Sequence, residues 1–575
     1  MRRLIRYIGE YKKYALLTPL VMMGEVLMEI LIPMVMATMI DDGILGEGGV
    51  SYTIWMGLLM ISMALISLCF GAMGSRFGAK AGMGFARNVR HAVFEKVQSF
   101  SFANVDKFST ASLVTRLTTD INNVQMAFMM LTRMAFRAPT MMIGALILAI
   151  SLNARLALVF LVAIPVLALG LGYIMSHAHP RFKVMLEKYD SLNSDVQENL
   201  IAIRVVKAFV REKYESDKFD GNADAVRKAQ YRAEKLVQLN QPLMQISMYG
   251  CIVAVLWFGG QMVIGNTFEI GALSSFISYI SQILMSLMML SMILMMTIIS
   301  RASITRINEV LDEVPSISDA NADKSIKVED GSIVFKNVSF SYGKNQQRPT
   351  VSDINLTIPS GTHVGIIGGT GSAKSTLVQL IPRLYDVTEG EVIVGGHNVK
   401  DYPLPVLRDD VAMVLQKNVL FSGTIADNIR WGKEDATQEE IEAACRSAQA
   451  HDFITSFPDG YNTELGQGGV NVSGGQKQRL CIARALIKKP KIVIMDDSTS
   501  AVDTATDARL RAAIHRELSD VTSIIIAQRI TSIADCDMII VLDDGRISDV
   551  GTHSELMERS EIYREVYQSQ QKGVA

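Results

Sequence analysis

Gly368-Gly369-Thr370-Gly371-Ser372-Ala373-Lys374-Ser375-Thr376 follows the apolar run His363 to Ile367 and opens a helical pattern that reaches about Tyr385. Strand, glycine-rich loop and helix in this order read as a phosphate-binding loop. The glycines let successive backbone N–H groups turn inward around an anion, and the helix N-terminus adds partial positive charge. Lys374 is placed to reach the β- and γ-phosphate oxygens of a nucleotide, and Ser375 to ligate Mg²⁺. A plain Gly/Ser turn is the simpler alternative, but it requires neither the strand before nor the helix after. One position departs from the motif. The residue before the lysine is normally glycine and here is Ala373, in a loop that relies on glycine's backbone freedom.

Around this loop, short apolar runs alternate with helical patterns: Ile333 to Phe340, Val351 to Ile358, Glu391 to Val394, Val411 to Leu415, Lys491 to Asp496, Thr522 to Ala527 and Met538 to Leu542. Continuous apolar strands such as Ile492-Val493-Ile494-Met495 predict a sheet buried on both faces, as in an α/β nucleotide-binding domain. Between Ser422 and Asp459 the pattern turns helical, and Thr437 with Glu440 three residues on forms a capping box before Ile441. Asp496 ends its strand about 120 residues after Lys374, where a carboxylate can hold Mg²⁺ between the β- and γ-phosphates. Upstream of it, Val472-Ser473-Gly474-Gly475-Gln476 opens a helix predicted to run to Lys489 and repeats the anion-binding logic.

The first 300 residues are of another kind. They hold 29 of the chain's 33 methionines and its long apolar runs. A bilayer-spanning helix needs about 20 mostly apolar residues. Six segments qualify: Tyr14 to Ile40, Ile54 to Met73, Phe128 to Ile150, Leu156 to Met175, Pro242 to Ile264 and Ile270 to Ser300. Arg2, Arg3, Arg6, Lys12 and Lys13 precede the first, which is too long for a secretion signal and reads as a span with a cytoplasmic basic flank. The even number returns the soluble half to that side. Two of the loops, Gly74 to Gln125 and Ser176 to Gln241, are long, basic and helically patterned. A helix unbroken from Thr53 to Phe100 would extend about 70 Å, more than twice a bilayer core.

The predicted fold is therefore an all-α six-helix transmembrane domain with long cytoplasmic helix extensions, followed by an α/β P-loop nucleotide-binding domain with a helical subdomain. The boundaries read as an N-terminal cytoplasmic elbow over 1–13, the transmembrane domain over 14–311, a polar and acidic linker over 312–330 carrying Pro315, and the nucleotide-binding domain over 331–575. A net charge of -2 argues against a nucleic-acid partner, which normally meets a basic face. The five cysteines have no metal-like spacing. Glu25 and Glu29 lie one turn apart on the first span, either a cation-attracting surface or a structural pair bonded to Arg133 or Arg137. Met285, Met288, Met289, Met292, Met295 and Met296 form a stripe on the sixth, suited to packing, to lipid or to an adaptable binding wall.

At these residues the chain resembles an ATP-binding-cassette (ABC) transporter, specifically an exporter half-transporter with one membrane domain fused to one nucleotide-binding domain, and the resemblance covers essentially the whole chain. It implies ATP and Mg²⁺ as cofactors. It assigns Tyr342 to stacking on adenine, Gln416 to linking Mg²⁺ and the attacking water to the membrane domain, Ser500 to Asp503 to the D-loop, and Val472 to Gln476 to the family signature, with Val for the usual Leu. In the family that signature contacts the γ-phosphate held by another cassette. A chain with one loop and one signature is thus expected to pair with a second half-transporter chain. Short coupling helices are implied near Ser101 to Phe108 and Ala208 to Tyr214.

Three positions depart from the family pattern. Asp497 stands where the catalytic general base is Glu, Gln528 where the switch residue is His, and Ala373 where the loop has Gly. The shorter Asp holds its carboxylate back from the attacking water, and Gln carries no proton or positive charge at neutral pH. Ser473, Gly474, Gly475 and Gln476 are intact. The expectation is a multi-pass subunit of a heterodimeric exporter in a bacterial plasma membrane, with both termini cytoplasmic, moving amphiphilic small molecules or lipids. Its own site is expected to bind ATP and hydrolyse it weakly, while its signature completes the partner's. An ATP-gated channel or regulator, and an importer of the same architecture, are the competing readings.

Overall fold

The computed structural model describes residues 2–320, 322–343, 348–497, 512–513 and 520–572. The chain forms two compact units, Met1–Gln98 with Thr110–Glu313, and Ser99–Ser109 with Val314–Ala575.

In the first unit, the helices include α1 (Lys12–Thr38), α2 (Gly49–Gln98), α4 (Ile121–Leu152), α5 (Leu158–Ile201), α6 (Ile203–Ala208), α7 (Glu212–Val237), α8 (Asn240–Ile264) and α9 (Ile270–Asp312); α3 (Phe102–Phe108) belongs to the second unit. Among the described residues, six helical spans are long and apolar enough to cross a membrane. The expected unbroken second helix is present, 50 residues long. The segment expected as a second coupling helix at 208–214 differs: α6 ends at Ala208, the chain turns at Phe209 and Val210, and α7 starts at Glu212.

Close approach of α2 to α1 and α4 is set by glycine. Side chains built on Gly74, Gly78 and Gly82 would meet Met22, Arg133 and Met129 within 3.0 Å. Small residues let helix backbones approach closely, and within a bilayer, where water is absent, internal hydrogen bonds satisfy the polar groups. Pro33 inside α1 has no N–H to give the carbonyl of Glu29. Gln282 of α9 supplies one, donating its Nε2 to that oxygen at 3.3 Å, and Tyr279 donates to Ile30 O at 2.9 Å. At the other end of α1, Asp41 caps α9, accepting from Gly271 N at 2.6 Å and Ala272 N at 3.1 Å. The pair Glu25 and Glu29 is resolved in favour of Arg137: its Nη1 bonds Glu25, and its Nη2 bonds both oxygens of Glu29 at 2.9 Å, whereas Arg133 donates to Ser75 Oγ at 2.9 Å. The methionine stripe stands half-buried or exposed on α9, with Met285 and Met292 the most exposed.

The second unit holds two larger sheets, besides the two-stranded pair β7 (Gly423–Thr424) and β8 (Glu464–Leu465). The antiparallel one has the order β2 (Val351–Ile358), β1 (Ile333–Phe340), β4 (Glu389–Val394), β5 (His397–Asn398). The other runs β12 (Arg546–Gly551), β11 (Met538–Asp543), β3 (His363–Gly368), β10 (Thr522–Ile526), β9 (Ile492–Asp496), β6 (Val411–Val414), parallel except for the β12 edge. The sheet is buried on both faces. Along β9, Ile492 and Ile494 enter the core shared with the antiparallel sheet, while Val493 and Met495 enter the core shared with the helical insert. That insert carries Ile425, Ile441 and Leu480, and the capping box at Thr437 and Glu440 is formed.

The helix after the phosphate loop, α10, spans only Lys374–Gln379 and not to Tyr385. Leu380 and Ile381 make tight bonds to carbonyls three residues back, and Pro382 bars the helix from continuing. Likewise α14 (Gly474–Leu486) stops short of Lys489, which sits at a positive φ before Pro490. Labels α11 to α13 denote Leu404–Asp410, Ile425–Arg430 and Gln438–Ser447.

Candidate nucleotide site

The carboxyl edge of the parallel sheet collects the groups singled out in the sequence. β3 ends at Gly368, β10 runs into Gln528, β9 ends at Asp496 and β6 leads to Gln416, with Ile526 in register with both Ile366 and Asp496. Ligands of open α/β sheets lie at this edge.

Gly368 leaves β3 where a side chain would sit 2.2 Å from Leu542 O, so only glycine fits. Gly371 has φ +87°. Ala373 has φ +69° and caps α10 in the left-handed conformation that its methyl disfavours. Lys374 folds back over the loop, donating to Gly368 O at 2.9 Å, Gly369 O at 2.8 Å and Ser372 Oγ at 3.3 Å. Burial pulls its pKa below the usual lysine value, opposed by the charges of Asp497 and Asp496. An ammonium spending its donors on carbonyl oxygens is one that a phosphate would relieve.

Ser375 Oγ donates to Asp496 Oδ1 at 2.9 Å. Asp496 is buried, and burial raises its pKa above the ordinary carboxylate value; the Ser375 bond and Lys374 pull the other way, while Asp497 adds to the rise. Two hard oxygen donors brought together on a buried anionic group fit Mg²⁺, which keeps few protein ligands and completes its shell with water and phosphate. Bound there, the ion would neutralise charge between the β- and γ-phosphates.

The two substituted positions meet. Gln528 Nε2 donates to Asp497 Oδ2 at 2.6 Å. Asp497 has φ +49°, a conformation that Asp tolerates better than most residues, and its N–H donates to Ile526 O at 3.1 Å. Gln528 is itself anchored from helix α15 (Glu561–Lys572): Gln570 Nε2 donates to its backbone oxygen at 2.7 Å and Gln570 Oε1 accepts from Ile530 N at 2.9 Å. Gln570 was silent in the sequence, because nothing local distinguishes a glutamine on an amphipathic helix.

Tyr342 exposes 45% of its surface beside α10, its hydroxyl 3.0 Å from Thr376 Oγ1 and 3.4 Å from Gln379 Oε1. Gln416 is exposed beyond β6. In the stretch expected to be the signature, Ser473 caps α14: Gln476 N donates to its Oγ at 3.3 Å and Ser473 N donates to Gln476 Oε1 at 2.8 Å. Thr370, Gly474 and Gly475 lie in these two loop-to-helix turns. The expected D-loop, Ser500 to Asp503, falls outside the described residues.

Residues 16–287 match the model of the ABC transporter transmembrane region, and residues 351–500 that of the ABC transporter family. The chain is 37% identical to the uncharacterized ABC transporter ATP-binding protein YfiB of Bacillus subtilis over 99% of its length and 98% of the relative's. It is 33% identical to the mitochondrial potassium channel ATP-binding subunit of Pongo abelii, over 85% of this chain and 68% of that one. A structure of a bacterial Atm1-family ABC exporter with ATP bound shares its fold, with a TM-score of 0.81 and 24% identity over 99% of this chain and 98% of that one. The chain belongs to the ABC transporter family, as a half-transporter that fuses a multi-pass membrane region to an ATP-binding domain in the exporter fold.

Proposed function

We propose that this chain is the degenerate-site subunit of a heterodimeric exporter, moving amphiphilic compounds such as drugs or lipids out of a bacterial cytoplasm or inner leaflet by alternating access. The transmembrane domain occupies 14–311 and the cytoplasmic nucleotide-binding domain 331–575. Tyr342 stacks the adenine, residues 368–376 hold the phosphates, Ser375, Asp496 and Gln416 hold Mg²⁺, and Ser473 to Gln476 complete the ATP site of the partner chain.

The bond from Gln528 to Asp497 carries this reading. An amide now engages the carboxylate that stands at the general-base position. A correctly placed base contributes about 10²- to 10⁴-fold, so a shortened carboxylate held by a neutral amide forfeits much of the turnover. Two such sites would leave a homodimer nearly inactive. Pairing with a chain that has Glu and His at these positions restores one working site, built from that chain's loop and this chain's signature. ATPase of the purified chain is expected to be weak alone and brisk with its partner, the first candidate being a half-transporter encoded beside it. Brisk turnover by the isolated chain would overturn the heterodimer.

The relative named as an ATP-binding subunit of a mitochondrial potassium channel favours a second reading, in which the cassette is a ligand sensor. Ion current through reconstituted protein, persisting with a non-hydrolysable nucleotide, would select it.

A further inference from the structure

We infer that Gln570 is a positioning residue for the nucleotide: it clamps the backbone that carries Gln528 and so holds the Gln528 amide toward the γ-phosphate.

Beyond Ala527, whose N–H donates to Ile366 O at 3.2 Å, β10 gives way to the exposed residues Gln528 and Arg529 and a short 3₁₀ turn over Ile530–Ser532. The side chain of Gln570 spans this break. Its Nε2 donates to Gln528 O at 2.7 Å and its Oε1 accepts from Ile530 N at 2.9 Å, so one planar amide fixes the carbonyl of one residue and the N–H two residues on. An N–H that opens a helical turn has no partner within it, and for Ile530 the partner is Gln570. Gln570 is itself held in place. About two turns back on the same face of α15, Tyr563 is 1% exposed, with its hydroxyl 2.8 Å from His553 Nδ1. Ile562, Val566 and Tyr567 pack against the core that contains Ile530 and Ile533.

The clamp bears on the nucleotide through Gln528, whose Nε2 carries two N–H groups. One goes to Asp497 Oδ2 at 2.6 Å, and the other has no acceptor among the described residues. The direction in which the side chain leaves the backbone decides whether that second N–H faces a phosphate oxygen. With the clamp in place the donor is set before the ligand arrives; without it, ordering residues 528–530 is a cost of binding. ADP has no γ-phosphate and does not sense the difference. This rests on Gln528 sharing one ATP site with residues 368–376, the reading given above.

Equilibrium binding to the full-length chain in nanodiscs tests it with two probes, the Mg²⁺ complex of the non-hydrolysable imido analogue of ATP and MgADP. Gln570→Ala is expected to weaken the ATP analogue about fivefold, the weight of one hydrogen bond, and MgADP less than about twofold. Gln570→Glu has the same size but loses the donor to Gln528 O, and should shift the two probes in the same way. Gln528→Ala should match Gln570→Ala, and the double variant should bind the analogue no more weakly than either single one, because both remove the same positioned donor. Equal losses for both probes would make Gln570 a purely structural residue and overturn the inference. So would unchanged binding in Gln570→Ala, or a double variant that shows the sum of the two single losses. If Gln528→Ala itself leaves the affinity for the analogue unchanged, the placement of Gln528 at the γ-phosphate fails, and the role of the clamp with it.

Discussion

Gln528 and Asp497 stand 2.6 Å apart at the carboxyl edge of the sheet, the amide donating to the carboxylate. Each substitution accommodates the other. A glutamate one methylene longer would push its carboxylate past this amide toward the nucleotide, and a histidine would give the position a group that can carry charge.

Asp497→Glu is accordingly expected to raise ATP hydrolysis at this site by about tenfold, part of the span available to a placed general base, and Asp497→Glu with Gln528→His to raise it further. Steady-state ATPase of the proposed heterodimer, with the base of its second chain removed, isolates the site. No gain in the double variant, with the fold intact, would move the defect to Ala373 or to the partner's signature.

Ala373→Gly makes a separate prediction. Alanine at φ +69° carries about 1 kcal/mol of conformational strain that glycine lacks. Relief should raise the melting temperature of the nucleotide-binding domain by about 3 °C, read by calorimetry. The strain is present with and without ligand, so ATP affinity is expected to stay unchanged. A tighter site without a rise in melting temperature would mean that alanine obstructs the phosphate instead.

The turn at 368–373, the strands and the capped helix starts at Thr437 and Ser473 were legible in the sequence because each rests on local chemistry: glycine where backbone must turn, apolar runs where both faces are covered, a capping box at a helix N-terminus. The sequence placed Asp497 and Gln528 as separate departures 31 residues apart, but their contact depends on the parallel register of β9 and β10. The contact of Gln570 with Gln528, 42 residues away, depends likewise on where α15 packs. Helix lengths after the phosphate loop and the signature were overestimated, since the turns before Pro382 and Pro490 still carry helix-like apolar spacing. For Glu25 and Glu29, the first-helix pattern offered two arginines as partners, and only packing in three dimensions chooses Arg137.

Burial of Asp496 sets a pH dependence. Its folded pKa lies above the unfolded value of 3.8, so the folded chain holds a proton that the unfolded chain has released. Its contribution to stability is present below 3.8 and is lost as pH rises through the folded pKa. Mg²⁺ held by this carboxylate would reverse the loss. Stabilisation by Mg-nucleotide is thus expected to be full at neutral pH and to fade on acidification at a higher pH than an ordinary aspartate would give. Thermal shift against pH measures it, and Asp496→Asn should flatten the profile.

Arg137 bridges two carboxylates of α1 from α4, both more than two-thirds buried, within a span that meets little water. Removing one partner of a buried ion pair leaves an uncompensated charge and costs about 3–5 kcal/mol. Arg137→Ala is therefore expected to be the most damaging single change in the cluster, because it strands both Glu25 and Glu29. Glu29→Gln should cost far less: Arg137 keeps Glu25, and the amide oxygen still accepts its other fork. Glu25→Gln with Glu29→Gln and Arg137→Met should recover most of the stability lost in Arg137→Ala, since no buried charge remains. Unfolding in detergent ranks these variants. If the triple variant is stable but transport of cationic amphiphiles falls while that of neutral ones persists, the net negative charge of the cluster acts on substrate as well as on the fold.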